Sequence, residues 1–133
     1  MLEKIDHIGI AVKSVEQVKS LYNDIFDVKP HFEEIVEDQK VKAIGIRVGE
    51  SNLEFLEPTS ADSPIAKFLH KRGEGLHHIS IQVANIYDTL RKMKSSGIRL
   101  IDETPRIGAE GKLIAFIHPK SMNGILIELS QES

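Results

Sequence analysis

The chain has 133 residues, of which 41% are hydrophobic and 28% charged, and its formal net charge at pH 7 is −3. This composition is typical of one globular domain, and the modest, mixed charge favours neither a nucleic-acid partner nor an anionic membrane. Cysteine is absent, so disulfide bonds and thiol chemistry are excluded. The first residues lack the apolar core of a signal peptide, and no apolar run approaches the ~20 residues that span a bilayer, so we expect a cytoplasmic protein.

One short pattern occurs twice, at residues 4–12 and 75–83. In each copy a histidine, His7 or His78, opens a run in which Ile, Ile and Val fall on every second residue. Successive side chains of a strand point to opposite faces, so this alternation is typical of a half-buried strand. We therefore expect the two histidines to lie on the less apolar face of equivalent strands.

The same series of elements follows each copy: one helix and then three strands. Helices are predicted after the capping residues Ser14 and Asn85, and a further helix after Ser63 joins the two series. The remaining strands are predicted at residues 31–36, 41–48, 52–56, 98–101, 113–117 and 125–129. The first helix is predicted to turn five apolar side chains towards a core, namely Val15, Val18, Leu21, Tyr22 and Ile25.

The repeat predicts one domain over residues 1–133, with module one at 1–58, a connecting helix at 59–74 and module two at 75–133. A single copy of such a unit cannot bury its sheet face alone. The expected fold is therefore α+β, with two repeated βαβββ modules that form an eight-stranded, curved, mixed sheet with helices on its outer face. The inner face of this cup would carry the two histidines.

Each module's last strand also contains an acid within an apolar alternation, Glu54 in the first and Glu128 in the second. A carboxylate on an enclosed face is costly unless it is paired, solvated or bound to a metal. Taken singly, such residues are more often structural, but their matching positions favour a shared site. Two imidazoles and two carboxylates suit Co, Ni, Mn, Fe or Zn with open coordination positions, and the lack of cysteine argues against a closed structural zinc site.

Other polar residues have less decisive patterns. Lys120 follows His118 and a proline, and it is either a solvated turn residue or a cation that meets an anionic substrate. His77 points away from His78 and is predicted on the helix side or behind the site, while His31 and His70 are predicted at the surface.

With the duplicated unit and its histidines and glutamates in view, the sequence resembles the vicinal oxygen chelate (glyoxalase-type) superfamily, and within it the methylmalonyl-CoA epimerase family. The segments that carry the resemblance most specifically are Gly75–His78 and the tail from His118 to Leu129. The resemblance implies one divalent metal ion (Co, Ni, Mn or Zn), an acyl-CoA substrate and a homodimer. The implied metal ligands are His7, Glu54, His78 and Glu128.

The reaction implied by the resemblance interconverts (2R)- and (2S)-methylmalonyl-CoA by removing and returning the C2 proton, with Glu128 as the base. Some members of the family carry a second catalytic glutamate, at the position where this chain has Ala43, so the second proton donor is unassigned. A glyoxalase I-type lyase is the first alternative, but its usual arginine is replaced here by Ala11. Two further alternatives are a binding protein of the same fold and an extradiol dioxygenase. Such binding proteins commonly lack the metal ligands, whereas this chain keeps all four. The dioxygenase needs only two histidines and one glutamate, so the fourth ligand counts against it.

Overall fold

The protein is described by a computed structural model that covers residues 2–132. Within this range the chain forms three α-helices and a mixed sheet of eight strands, which confirms the predicted α+β class. The helices are α1 (Val15–Phe26), α2 (Pro64–Arg72) and α3 (Ile86–Ser95). The strands are β1 (Leu2–Ala11), β2 (Phe32–Val36), β3 (Val41–Val48), β4 (Ser51–Pro58), β5 (Gly75–Val83), β6 (Arg106–Ile107), β7 (Leu113–Ile117) and β8 (Ile127–Gln131). Their order in the sheet is β2-β3-β4-β1-β5-β8-β7-β6.

The helices begin where the sequence predicts. The side chains of Ser14, Ser63 and Asn85 each accept a hydrogen bond from a backbone N–H in the first turn of the helix that follows. Such caps satisfy donors that have no partner inside the helix. After α3 the chain turns at Gly97, whose φ of 78° lies in the left-handed region that glycine adopts without strain. No helix among the described residues is both long and apolar enough to cross a membrane.

The described chain divides into two compact units, one formed by residues 2–7 and 78–132 and the other by residues 8–77. Both boundaries fall inside a strand, β1 or β5, and not between the two sequence modules. The single domain and its module limits stay predictions.

In the first unit, β5 and β8 are parallel, while β7 is antiparallel to both β8 and β6. Its core lies between α3 and the neighbouring strands and contains Val83, Ile86, Leu90, Ala115, Ile117, Ile127 and Leu129. In the second unit, β2, β3 and β4 form an antiparallel series with a two-residue turn between β3 and β4. The core beneath α1 contains Val12, Val15, Ile44, Ile46 and Phe55.

The predicted strand at residues 98–101 is wrong. Leu100 makes only an isolated bridge to Ile117, and the backbone N–H groups of residues 101 and 102 both donate to the carbonyl of Phe116. The carboxylate of Asp102 accepts the N–H of Phe116 at 2.8 Å, so a side chain replaces the next rung of the ladder. The edge strand of this unit is β6 instead.

The predicted burial of α1 is correct for Val15 and for the partly buried Val18 and Tyr22, but wrong for Leu21 and Ile25. Leu21 is 55% exposed and Ile25 is 65% exposed. At 100° per residue these two side chains project roughly 120° and 80° away from Val15, on one flank of the apolar stripe. Only the centre of the stripe contacts the sheet.

Candidate functional site

Three of the four predicted ligands converge within the first unit. The Nε2 atoms of His7 and His78 are 3.0 Å apart. One carboxylate oxygen of Glu128, Oε2, lies 3.2 Å from Nε2 of His7 and 3.6 Å from Nε2 of His78. All three residues are buried: His7 and His78 are each 5% exposed, and Glu128 is 3% exposed. We call this set the His–His–Glu cluster.

Strand register explains the convergence. In the parallel pair β5–β8, Ser80 lies opposite Glu128. His78 precedes Ser80 by two residues and therefore shares its face of the sheet. His7 comes from β1, which is the neighbour of β5 on the side away from β8. Three neighbouring strands thus each present one side chain to the same point.

The chemistry of the donors in the cluster fits a divalent metal ion. Two donor atoms each about 2.1 Å from one ion lie about 3.0 Å apart at a right angle and about 3.4 Å apart in a tetrahedron. The observed separations of 3.0, 3.2 and 3.6 Å span these values. Moreover, Glu128 Oε2 is buried and accepts no hydrogen bond of acceptable geometry from residues 2–132, so its lone pairs are available to a ligand. The chain therefore has a cluster that could bind a divalent metal.

The electrostatics of Glu128 keep it ionised. Burial raises the pKa of this carboxyl, but the facing imidazoles of His7 and His78 lower it more, and the pKa lies below its ordinary value. An ionised carboxylate is the form that binds a metal or accepts a proton.

A second layer of contacts supports His7, and sequence reasoning missed it. Oδ2 of Asp6 lies 2.8 Å from Nδ1 of His7, and Nζ of Lys112 donates to Oδ1 of Asp6 at 2.8 Å. Asp6 is 1% exposed, and the Lys112 side chain is 16% exposed. Burial raises the pKa of Asp6, but the hydrogen bonds from His7 and Lys112 hold it well below its usual range. The one signal in the sequence for these contacts is that Asp6 is adjacent to the predicted ligand His7. Lys112 gives no such signal, because it lies 106 positions from Asp6.

Two buried hydroxyls extend the polar surface beside the cluster. Ser80 is 0% exposed and Ser130 is 1% exposed, and the Oγ atom of each lacks a hydrogen-bond partner among the described residues. Ser80 is two residues after His78 and Ser130 two residues after Glu128, so they share the faces of these ligands. They offer donors to a polar ligand next to the cluster.

Glu54 and Ala43 belong to the second unit. Glu54 is 4% exposed in the middle of β4, where it lies opposite Gly45 of β3. Ala43 is fully buried and shares this face, since it precedes Gly45 by two residues. The role of Glu54 as the fourth ligand stays a prediction, and the position of the family's second glutamate carries no acid here.

The remaining predicted residues lie at the surface or behind the site. The ring of His77 packs edge-on against Phe68 of α2, with centroids 5.1 Å apart, on the side predicted for it. His31 and His70 are exposed, as predicted, and His31 Nε2 lies 2.7 Å from Asn52 Oδ1. Lys120 is exposed in the short 3-10 turn Pro119–Ser121, and its role in substrate binding stays a prediction.

With a buried His–His–Glu cluster on an eight-stranded mixed sheet, the chain is an α+β protein with a candidate metal site. The sequence matches the Glyoxalase/Bleomycin resistance protein/Dioxygenase superfamily over residues 6–116, and the chain belongs to this superfamily.

Three proteins illustrate what the chain is similar to. It is 42% identical to the uncharacterized protein YqjC of Bacillus subtilis, over 98% of this chain and 93% of that protein. It is 35% identical to the ethylmalonyl-CoA/methylmalonyl-CoA epimerase of Cereibacter sphaeroides, over 98% and 99%. A solved methylmalonyl-CoA epimerase in complex with methylmalonyl-CoA and NH4+ superposes with a TM-score of 0.95 at 34% identity, covering 100% of this chain and 96% of that one. The similarity to epimerases thus extends over the full length.

Proposed function

We propose that the protein is a metal-dependent epimerase that interconverts (2R)- and (2S)-methylmalonyl-CoA. The observation that carries the proposal is the His–His–Glu cluster, whose donor atoms lie 3.0, 3.2 and 3.6 Å apart in a chain with full-length similarity to such epimerases. His7, His78 and Glu128 are the proposed metal ligands within the first unit, and Glu54 is the proposed fourth ligand. A bound divalent ion would act as a Lewis acid and stabilise negative charge on the thioester oxygen.

In the proposed reaction, Glu128 removes the C2 proton. The C–H bond breaks, its electron pair delocalises into the thioester carbonyl, and the proton moves to a Glu128 carboxylate oxygen. Return of a proton to the other face of C2 gives the opposite epimer. The lowered pKa of Glu128 keeps it unprotonated and ready to accept this proton. Ala43 cannot supply the second proton, so water, another side chain or Glu128 itself remain the candidate donors.

The test is proton NMR of methylmalonyl-CoA in deuterium oxide with purified protein and added Co(II). We expect loss of the C2 proton signal at a rate that falls to background when a chelator is added. Product that retains the original proton would assign both transfers to Glu128, whereas complete exchange would favour a separate donor. If the two epimers are not interconverted with Co(II), Ni(II), Mn(II) or Zn(II), whether or not the proton exchanges, the proposal is overturned in favour of a glyoxalase-type or binding role.

Variants assign the roles. His78→Ala should abolish metal binding and exchange, while His77→Ala is the matched control, because its ring contacts Phe68 on another side of the strand. Glu128→Gln should lower kcat about 100- to 10,000-fold with little change in KM, as expected for loss of an acid–base group. Full turnover by His78→Ala, or an effect of Glu128→Gln on KM alone, would contradict the assignment.

Three finer points belong to the same proposal. Ethylmalonyl-CoA should be compared with methylmalonyl-CoA, because the relative from Cereibacter sphaeroides is named for both substrates. A homodimer is expected from the family resemblance, and sedimentation velocity would test it. A cytoplasmic location is expected from the sequence, and fractionation of the source cells would test it.

A further inference from the structure

We propose that Lys112 and the buried Asp6 form a positioning pair that holds His7 in the tautomer protonated at Nδ1. This tautomer leaves the lone pair of Nε2 directed at the His–His–Glu cluster. The inference rests on the proposed metal site for its purpose, but the tautomer itself is a property of the metal-free protein. Nothing in the family resemblance or the sequence motifs assigned a role to either residue.

The two carboxylate oxygens of Asp6 have separate partners. Oδ2 faces Nδ1 of His7 and Oδ1 accepts from Nζ of Lys112, each at 2.8 Å. An ionised carboxylate only accepts hydrogen bonds, so Nδ1 of His7 must carry the proton. Nε2, which lies 3.2 Å from Glu128 Oε2, can then offer its lone pair to a cation bound between the two groups.

Lys112 makes this arrangement stable. Asp6 is 1% exposed, and an unpaired charge at such a position would favour protonation of the carboxyl or its withdrawal towards water. The cation of Lys112 pairs with this charge at 2.8 Å and holds the carboxylate in place, with Oδ2 directed at Nδ1 of His7.

The fold delivers Lys112 from a turn that is distant in sequence. The lysine follows the 3-10 turn Ala109–Gly111, which connects β6 to β7, and its carbonyl accepts the N–H of Gly108 at 2.9 Å. Gly111 has a φ of 71°, a conformation that glycine adopts at little cost. The Glu110 carboxylate lies 4.0 Å from the same Nζ. The turn therefore fixes the cation beside β1.

The first experiment measures the His7 tautomer by long-range proton–nitrogen correlation NMR in the metal-free protein, at a pH where its imidazole is neutral. In the unmodified chain, Nδ1 should be the protonated nitrogen. Lys112→Met should shift the His7 nitrogens towards the other tautomer, and Lys112→Arg should restore the original signals. Lys94→Met is the control, because its partner Glu103 forms an exposed ion pair far from any ligand in sequence.

The second experiment measures Co(II) affinity by calorimetry or competition. Lys112→Met should weaken binding about 10- to 100-fold, the usual loss when a supporting partner of a ligand histidine is removed, and Lys112→Arg should recover most of it. Unchanged nitrogen shifts and unchanged affinity in folded Lys112→Met would overturn the inference and leave a purely structural ion pair.

Should Lys112→Met not fold, the double variant Asp6→Asn with Lys112→Met removes both charges together. Its buried amide can present either an oxygen or an N–H to Nδ1, so mixed tautomers and weaker Co(II) binding are expected. A single Nδ1–H tautomer with undiminished affinity would overturn the inference. A wild-type protein that binds no metal would refute the proposed function, while the tautomer result would still decide the positioning role.

Discussion

Gly45 is the position where one added methyl group should reveal how tightly the second unit is packed. The residue lies in β3, directly opposite Phe32 of β2 and Glu54 of β4. A Cβ atom at residue 45 would lie 2.1 Å from Cε2, 2.6 Å from Cδ2 and 2.9 Å from Cζ of the Phe32 ring. Carbon atoms in contact are about 3.5–4.0 Å apart, so the ring must move by more than about 1 Å in Gly45→Ala.

The expected change in the free energy of unfolding of Gly45→Ala is the balance of two opposing effects. Overpacking of this kind usually destabilises by about 1–3 kcal/mol, and Phe32 is only half-buried, so its ring can tilt towards solvent and reduce the loss. Alanine in a strand is favoured over glycine by about 0.5–1 kcal/mol. We expect Gly45→Ala to lower the free energy of unfolding by about 1 kcal/mol, which corresponds to a fall in Tm of roughly 3–5 °C.

Urea unfolding followed by circular dichroism would measure this change. Gly75→Ala is the matched control, since Gly75 also lies in a strand and a Cβ there would meet nothing within 4 Å. The control should be neutral or slightly stabilising. In the double variant with Phe32→Ala, the Gly45→Ala penalty should disappear. A stabilised Gly45→Ala protein, or an equal penalty in the double variant, would refute the reasoning.

Three further predictions concern charge and metal. Lys112→Met should destabilise the protein by about 3 kcal/mol, because it leaves the buried carboxylate of Asp6 without its cation, whereas Lys94→Met should have no measurable effect on urea unfolding. The pKa of Asp62 is lowered to about 2, mainly by its hydrogen bond from Lys40, so its contribution to stability is present above the ordinary aspartate pKa and is lost as the pH falls towards 2. NMR titration of Lys40→Met should show the Asp62 midpoint return towards its ordinary value; an unchanged midpoint would contradict the cause given. Adding Co(II) to chelator-treated protein should raise Tm with increasing metal concentration, and a Tm independent of metal would count against the site.

Much of the candidate site could be predicted because its signals are local and repeated. Alternating apolar residues set the face of each strand, and the duplicated pattern identifies His7 and His78 as equivalent. Glu128 was found in the same way, as an acid in mid-strand with apolar neighbours. The superfamily and the α+β class, with its mixed eight-stranded sheet, are confirmed.

The wrong predictions share one cause: sequence periodicity does not show which groups contact each other in the folded chain. The apolar run at residues 98–101 has strand character, but the Asp102 carboxylate takes the N–H of Phe116 and interrupts the ladder. Leu21 and Ile25 continue the apolar pattern of α1, yet the contact surface beneath the helix ends before it reaches them.

The sequence by itself determined the three helices with their caps, most of the strands, the repeat and the four ligand candidates, since each depends on neighbouring residues or on a pattern shared by two strands. Only the tertiary structure decided which groups support those ligands. The cation of Lys112 reaches Asp6 across 106 positions because Asp6 and the turn before β7 belong to one compact unit. A hydrogen bond of 2.8 Å requires placement within a fraction of an ångström, and such placement comes from strand register and packing rather than from local pattern.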